Sequence, residues 1–329
     1  MRTVLLTLAA VAALGLAGAG AVVTFGLYNV SAQAGHLPGV AWLLHTTFRN
    51  AVELRAPAMD KVPPLDDPDL IALGAGHYAS ACAFCHATPD GARSATARAM
   101  EPPPPPIDEA VAHWKPNELF WIVENGVKMT GMPGWPVKGR EDEAWAVVAY
   151  LETVKADAAP PLPGADAGAA YCRSCHERIA GPVPRLDRLS PDYIEAQLEN
   201  YRTGVRPSGI MSHAVSLAPP ESFADLAREL AGASLPDREV AVTGDAAAGR
   251  DLAGRGTRDV PACLACHGGE DRKGPLLHGQ PEDFLATQIR LWRDGTYHHN
   301  RLMVAATRDL EDADISALAA YFASLRAPE

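Results

Sequence analysis

Six cysteines and the histidines that follow them carry the chemistry legible in this chain of 329 residues. They form three copies of one pattern: Cys82-Ala-Phe-Cys85-His86, Cys172-Arg-Ser-Cys175-His176 and Cys263-Leu-Ala-Cys266-His267. No cysteine is left over. Thiols three residues apart share one face of a helical turn, so both can reach the two vinyl groups of one porphyrin. The histidine that follows, four residues from the first thiol, can then ligate iron from one side of the ring. Cys-x-x-Cys-His is therefore read as an attachment site for c-type haem, three times over, giving three covalently bound haem c groups. Three disulfides would be an odd use of a motif that ends each time in histidine, and zinc ribbons need such knuckles in pairs. A thioredoxin-like dithiol would need alternating strands and helices around it, and this chain with 28 Pro and 28 Gly shows no such pattern.

What such a haem does depends on its other axial position, because an occupied one suits electron transfer and a vacant one admits ligands or peroxide. Met211 and Met303 stand 35 and 36 residues after the motif histidines of the second and third copies. In the first copy the segment Met129-Thr-Gly-Met132-Pro-Gly-Trp135 offers two candidates. Met132, flanked by Gly and Pro in a loop, is preferred to Met129. The expected iron ligands are thus His86 with Met132, His176 with Met211 and His267 with Met303. A bis-histidine alternative would use His213, His298 or His299, but no histidine occupies one place in both C-terminal copies. Pro184-x-Leu186 and Pro275-x-Leu277 recur after the second and third motifs, where a carbonyl can take the proximal imidazole N–H and orient it. Arg202 and Arg293 are candidates for pairing with haem propionates, or else lie on solvated helix faces.

The elements that must hold these residues follow from the repeat. The motifs recur at intervals of 90 and 91 residues, the mark of one structural unit copied. The expected fold is all-α, with three tandem units over 69–156, 165–235 and 244–329. In the first, Glu101 to Pro106 reads as extended polyproline, Pro116 to Val127 as a helix, and Arg140 to Val154 as the closing helix. Ala158 to Ala165 reads as a linker. Tyr193, Gln197, Tyr201, Arg202 and Gly204 of the second unit correspond to Phe284, Gln288, Trp292, Arg293 and Gly295 of the third. This is a helix with an aromatic stripe, ended by Gly, expected to pack on the porphyrin edge.

Ahead of the units, no Asp, Glu, Lys or Arg lies between Arg2 and Arg49. Residues 1–30 are read as a membrane anchor with Arg2 on the cytoplasmic side, the alternative being a signal peptide cut near Ala32-Gln33-Ala34. Residues 31–68 form a juxtamembrane stretch and linker. Within it, Pro38 to Arg55 is an amphipathic helix with Trp42, Leu43, Phe48 and Val52 on its apolar side, resting on the membrane or on the first unit. No second run is long enough to span, which excludes a multi-pass protein. The net charge of −11 argues against nucleic acid.

Units two and three resemble the tandem diheme cytochromes c in Cys-x-x-Cys-His, Pro-x-Leu, the aromatic helix, the distal Met and a last helix such as Asp314 to Tyr321. The second departs from the pattern, with Glu229 near where Tyr321 stands. Unit one, with Thr130-Gly-Met-Pro-Gly-Trp135, is similar to the class I-like domains of triheme cytochrome c subunits that serve membrane-bound dehydrogenases. The resemblance implies three small helical cytochrome c folds and electron transfer rather than substrate chemistry. The expectation is a protein of the cytoplasmic membrane whose haem units face the periplasm, carrying electrons from a quinol-oxidising complex to a terminal acceptor such as a haem-copper oxidase. The alternatives are the cytochrome subunit of a periplasmic dehydrogenase and, with an open iron, a haem peroxidase.

Overall fold

The structure, a computed structural model, describes residues 1–164, 168–236, 242–269 and 272–326, and every regular element among them is helical. The expected start of the second unit at 165 and the last residues of the third lie outside the described residues. Helix α1 (Arg2–Phe25) buries no residue. Its 24 residues reach about 36 Å, enough to cross a bilayer core of about 30 Å. Helix α2 (Val40–Arg55) meets unit one with one half only. Val52 is fully buried and the Phe48 ring meets Trp114 edge-on at 5.4 Å, so the C-terminal half packs on unit one. Trp42, 71% exposed, and Leu43 leave the other half uncovered.

Unit one comprises α3 (Pro68–His77), α4 (Ala83–His86), α5 (Ala95–Arg98), α6 (Ile107–Val111), α7 (Pro116–Asn125) and α8 (Glu141–Lys155). Helix α3 starts where the Asp67 side chain accepts the Asp69 N–H and Pro68 needs no donor. A π-helical turn over Tyr78–Cys82 joins it to α4, so the first motif rides on one nearly continuous helical segment. Helix α3 crosses α8 with the backbones in contact: a Cβ on Gly74 would sit 1.9 Å from the Ala146 carbonyl oxygen and 3.0 Å from Tyr150 Cβ. Around this crossing lie Tyr78, Tyr150, Phe120, Val147 and Leu151.

Unit two is shorter, with α9 (Ala169–His176), α10 (Pro191–Arg202), α11 (Gly209–Ser216) and α12 (Phe223–Ala231). Unit three has α13 (Ala246–Arg255), α14 (Leu264–His267), α15 (Glu282–Arg293), α16 (Arg301–Thr307) and α17 (Asp312–Ser324). Its α13 meets α17 as α3 meets α8, with Gly249 at the crossing. A Cβ there would lie 1.9 Å from the Ala317 oxygen and 2.8 Å from Tyr321 Cβ. In unit two the described helices begin with the motif helix α9 itself. Glu229, near the place of Tyr321, instead forms an ion pair at 3.0 Å with Arg173 inside the motif.

Unit one covers the face that this shorter unit leaves open. Leu70, Ala72, Leu73 and Ala146 share an apolar cluster with Cys175, Ile179, Val183 and Ile210. Ser80 Oγ and Tyr171 OH lie 2.9 Å apart across the same boundary. Units two and three meet through Arg206, only 7% exposed. Its guanidinium donates to Gln197 and Gln288 and lies 5.2 Å from the ring centres of both Tyr201 and Tyr297. Gln197 of α10 and Gln288 of α15 therefore meet at this boundary, while Tyr201 and Phe284 of the aromatic stripe pack on the cores of their own units. Gly204 and Gly295, at φ 73° and 80°, follow these helices in the left-handed conformation that glycine adopts without strain.

His77 is buried between units one and two, its ring 4.9 Å from Trp135 and 5.4 Å from His213. Burial, reinforced by His213, lowers its pKa to about 3. Below pH 6.5 the unfolded chain takes up a proton that the folded one refuses, so stability falls with pH. From pH 7 to 5 this one group costs about 2 kcal/mol. Urea unfolding at pH 7 and pH 5 is expected to show that His77→Phe reduces the acid-dependent loss by that amount.

Candidate haem sites

The three motif histidines are held identically. His86 Nδ1 lies 2.9 Å from the Pro105 carbonyl oxygen, His176 Nδ1 2.9 Å from that of Pro184, and His267 Nδ1 2.9 Å from that of Pro275. A carbonyl only accepts, so Nδ1 carries the proton in each contact and Nε2 keeps its lone pair. Burial lowers the pKa of all three imidazoles, favouring the neutral form that binds a metal. In unit three the backbone passes directly over the ring, and a Cβ on Gly274 would lie 2.5 Å from His267 Cε1. The Pro184 and Pro275 contacts follow the Pro-x-Leu signal in the sequence. Pro105 was missed because it lies 19 residues after its histidine rather than eight, inside the polyproline run.

No disulfide joins any of the six cysteines. Burial, with the neighbouring thiol of the motif adding to it, pushes Cys82 up to about 12. Burial likewise pushes Cys172 and Cys263 up to about 11. A redox-active dithiol needs the opposite shift, since its thiolate is the nucleophile.

Met211 and Met303 occupy the third position of α11 and α16 rather than loops. Their N–H groups donate to Ser208 Oγ at 3.0 Å and Asn300 Oδ1 at 3.3 Å, the capping side chains three residues earlier. This capping residue at i−3 was a signal available in the sequence. Met211 packs against the Ile194, Leu198 and Phe223 cluster, which also includes Leu186, and Leu186 lines the cleft beside His176 with Leu230 and Leu235. Met132 sits in a tight loop: its N–H donates to Thr130 Oγ1 at 3.1 Å and its carbonyl accepts from Val127 at 3.1 Å. It is half-buried, whereas Met129 is 86% exposed. Met100, outside the repeated frame, reaches the same loop, since a Cβ on Gly131 would meet its methyl group at 2.2 Å.

Arg202 and Arg293 are already paired on the surface. Arg202 holds Glu199 through two contacts of 2.7 and 2.5 Å, and Arg293 holds Asp294 at 2.8 Å and Asp312 at 2.7 Å. Among the described residues the buried arginines are Arg140, Arg185 and Arg206, which hydrophobic periodicity alone does not single out.

The paired thiols, neutral imidazoles with a fixed Nδ1 proton, and apolar cleft residues fit covalent haem c. When bound, that group supplies a one-electron couple at its iron. The chain's own part is to fix the imidazole orientation through a proline carbonyl and to exclude water with the surrounding core.

The family model described as cytochrome c oxidase, cbb3-type, subunit III matches residues 69–151 and 244–322, within units one and three. The thiosulfate dehydrogenase electron acceptor of Stutzerimonas stutzeri (strain A1501) is 32% identical over 211 residues, covering 58% of this chain and 94% of the relative. Its namesake from Thiomonas intermedia (strain K12) is 33% identical over 184 residues, covering 51% of this chain and 81% of the relative. Among solved structures, the as-isolated thiosulfate dehydrogenase (TsdBA) from Marichromatium purpuratum matches at 34% identity with a TM-score of 0.43. That match covers 47% of this chain and 36% of that one. The helical units, the carbonyl-anchored motif histidines and the two electron-acceptor relatives together establish that the chain belongs to the c-type cytochromes and is an electron-transfer protein carrying covalent haem c.

Proposed function

We propose that the protein is the membrane-anchored cytochrome subunit of a periplasmic dehydrogenase of the thiosulfate-oxidising kind, accepting electrons from the catalytic partner and passing them on through three haems. The observation that carries this reading is the 32% identity over 94% of a relative described as a thiosulfate dehydrogenase electron acceptor. It reverses the order of the two placements drawn from sequence, in which a tethered carrier feeding a haem-copper oxidase came first. The anchor is α1, which holds the haem units on the periplasmic side. The proposed ligand pairs are His86 with Met132, His176 with Met211, and His267 with Met303. Thioethers would form at Cys82, Cys85, Cys172, Cys175, Cys263 and Cys266. A methionine in each unit weighs against a peroxidase, which needs an open iron.

Native purification from mild-detergent membranes, with mass spectrometry of what stays bound, tests the placement. Recovery of a dehydrogenase subunit, together with thiosulfate-dependent reduction of the haems, is the expected result. Recovery of oxidase or quinol-oxidising subunits with no response to thiosulfate would overturn it. The ligand assignment has its own test. Met132→Leu is expected to remove about a third of the weak red absorption of ferric His/Met haem, one site of three, and to open that iron to carbon monoxide. Met129→Leu is expected to leave both unchanged. Loss on Met129→Leu instead would transfer the assignment.

A further inference from the structure

Helices α11 and α16 hold the equivalent methionines of units two and three, yet their N-termini are satisfied differently. The first amides of any helix lack partners within it. In α16 the Asn300 side chain takes two of them, from Leu302 at 3.0 Å and Met303 at 3.3 Å. In α11 the Ser208 hydroxyl accepts only the Met211 N–H. The amides of Gly209 and Ile210 donate instead to Glu143 Oε2, at 2.6 and 3.2 Å, and Ser208 Oγ donates to Glu143 Oε1 at 2.5 Å. Glu143 belongs to α8, in unit one.

The same carboxylate reaches back to the loop of the other methionine. Trp135 Nε1, three residues after Met132, lies 3.4 Å from Glu143 Oε2. The indole also covers the start of α11 so closely that a Cβ on Gly209 would sit 2.3 Å from Trp135 Nε1. Arg140 holds the carboxylate from the far side at 2.7 Å, and both side chains are buried. A negative charge at a helix N-terminus is favourable, and more so when water is excluded.

We infer that Glu143 is a positioning residue for the sixth ligand of the neighbouring unit: by capping α11 across the unit boundary it holds Met211 in place, and it ties that helix to the Met132 loop through Trp135. The inference rests on the reading of Met211 as an iron ligand. Its consequence is that the docking of unit one and the strength of the Met211 ligation rise and fall together, whereas α16 in unit three is independent of both.

The test uses the full-length protein loaded with haem. Exogenous imidazole displaces methionine from ferric iron, and the loss of red absorption reports where each site yields. Met211→Leu comes first: removal of about a third of that absorption supports the ligand reading, and no removal ends that reading whatever Glu143 does. Given that loss, Glu143→Gln is expected to make about a third of the absorption yield at about tenfold lower imidazole, with the rest unmoved. Ser208→Ala, which leaves the Arg140 pair intact, is expected to act in the same direction and decides the matter if Glu143→Gln does not fold. Imidazole midpoints within twofold of wild type in Ser208→Ala and in folded Glu143→Gln would overturn the inference while leaving the ligand reading standing.

Discussion

Gly249→Val is expected to cost unit three more than about 3 kcal/mol of stability, because an added side chain has no space at the crossing of α13 and α17. The first atom of any side chain there would lie 1.9 Å from the Ala317 oxygen, which is backbone and cannot swing aside. The gain of about 1 kcal/mol that a helix normally draws from replacing glycine with a better helix former does not compensate. Gly254, in the same helix, has nothing within 4 Å of where its Cβ would be. Gly254→Ala is therefore the internal control and is expected to stabilise by about 0.5 to 1 kcal/mol. Thermal unfolding followed by circular dichroism and haem absorbance separates the two. If Gly249→Val melted with wild type, the backbone contact at this crossing would be wrong. Gly74 in unit one has the same geometry against Ala146, so the cost at 249 is a property of the repeated unit.

Arg140→Ala is the second large expected effect. The guanidinium, 7% exposed, contacts Glu143 at 2.7 Å, donates to the Pro207 carbonyl at 3.0 Å and lies 3.4 Å from the Tyr297 hydroxyl. It therefore touches all three units. Its removal leaves the Glu143 carboxylate buried without its cation, a loss of about 3 to 5 kcal/mol. Removing both partners with apolar residues of similar volume, Arg140→Met with Glu143→Leu, is expected to cost less than the single change, since no buried charge is then uncompensated. Denaturant unfolding of the two single variants and the double variant measures the coupling. Limited proteolysis between 156 and 168 reads the docking, which is expected to loosen in Arg140→Ala. Additive single losses would show that the two side chains do not act as a pair.

The candidate haem-attachment residues were readable because the chemistry they would serve is local. Two thiols and an imidazole must lie within one helical turn to meet one ring, so five consecutive residues state the whole requirement, and the chain states it three times. The proximal anchors at Pro184 and Pro275 were readable for the same reason, eight residues from their histidines. Pro105 was not, because the intervening loop in unit one is longer and only the folded chain brings it back to His86. The methionine positions came from the repeat interval, but their place on helix N-termini and the exposure of Met129 came from the structure.

By itself, then, the sequence determined the helical class, the three-fold repeat, the apolar N-terminal helix, the attachment chemistry and the candidate iron ligands. Each is written in local spacing, in the repeat interval or in composition. Only the tertiary structure decided how the units are joined. Arg140, Glu143, His77 and Arg206 look in sequence like ordinary polar residues on helical faces, and Arg202 and Arg293 look like better partners for a buried anion. The difference arises because burial depends on which surfaces meet, and the meeting of α3, α8 and α11 is set by contacts between residues about 65 to 135 positions apart that no local pattern records.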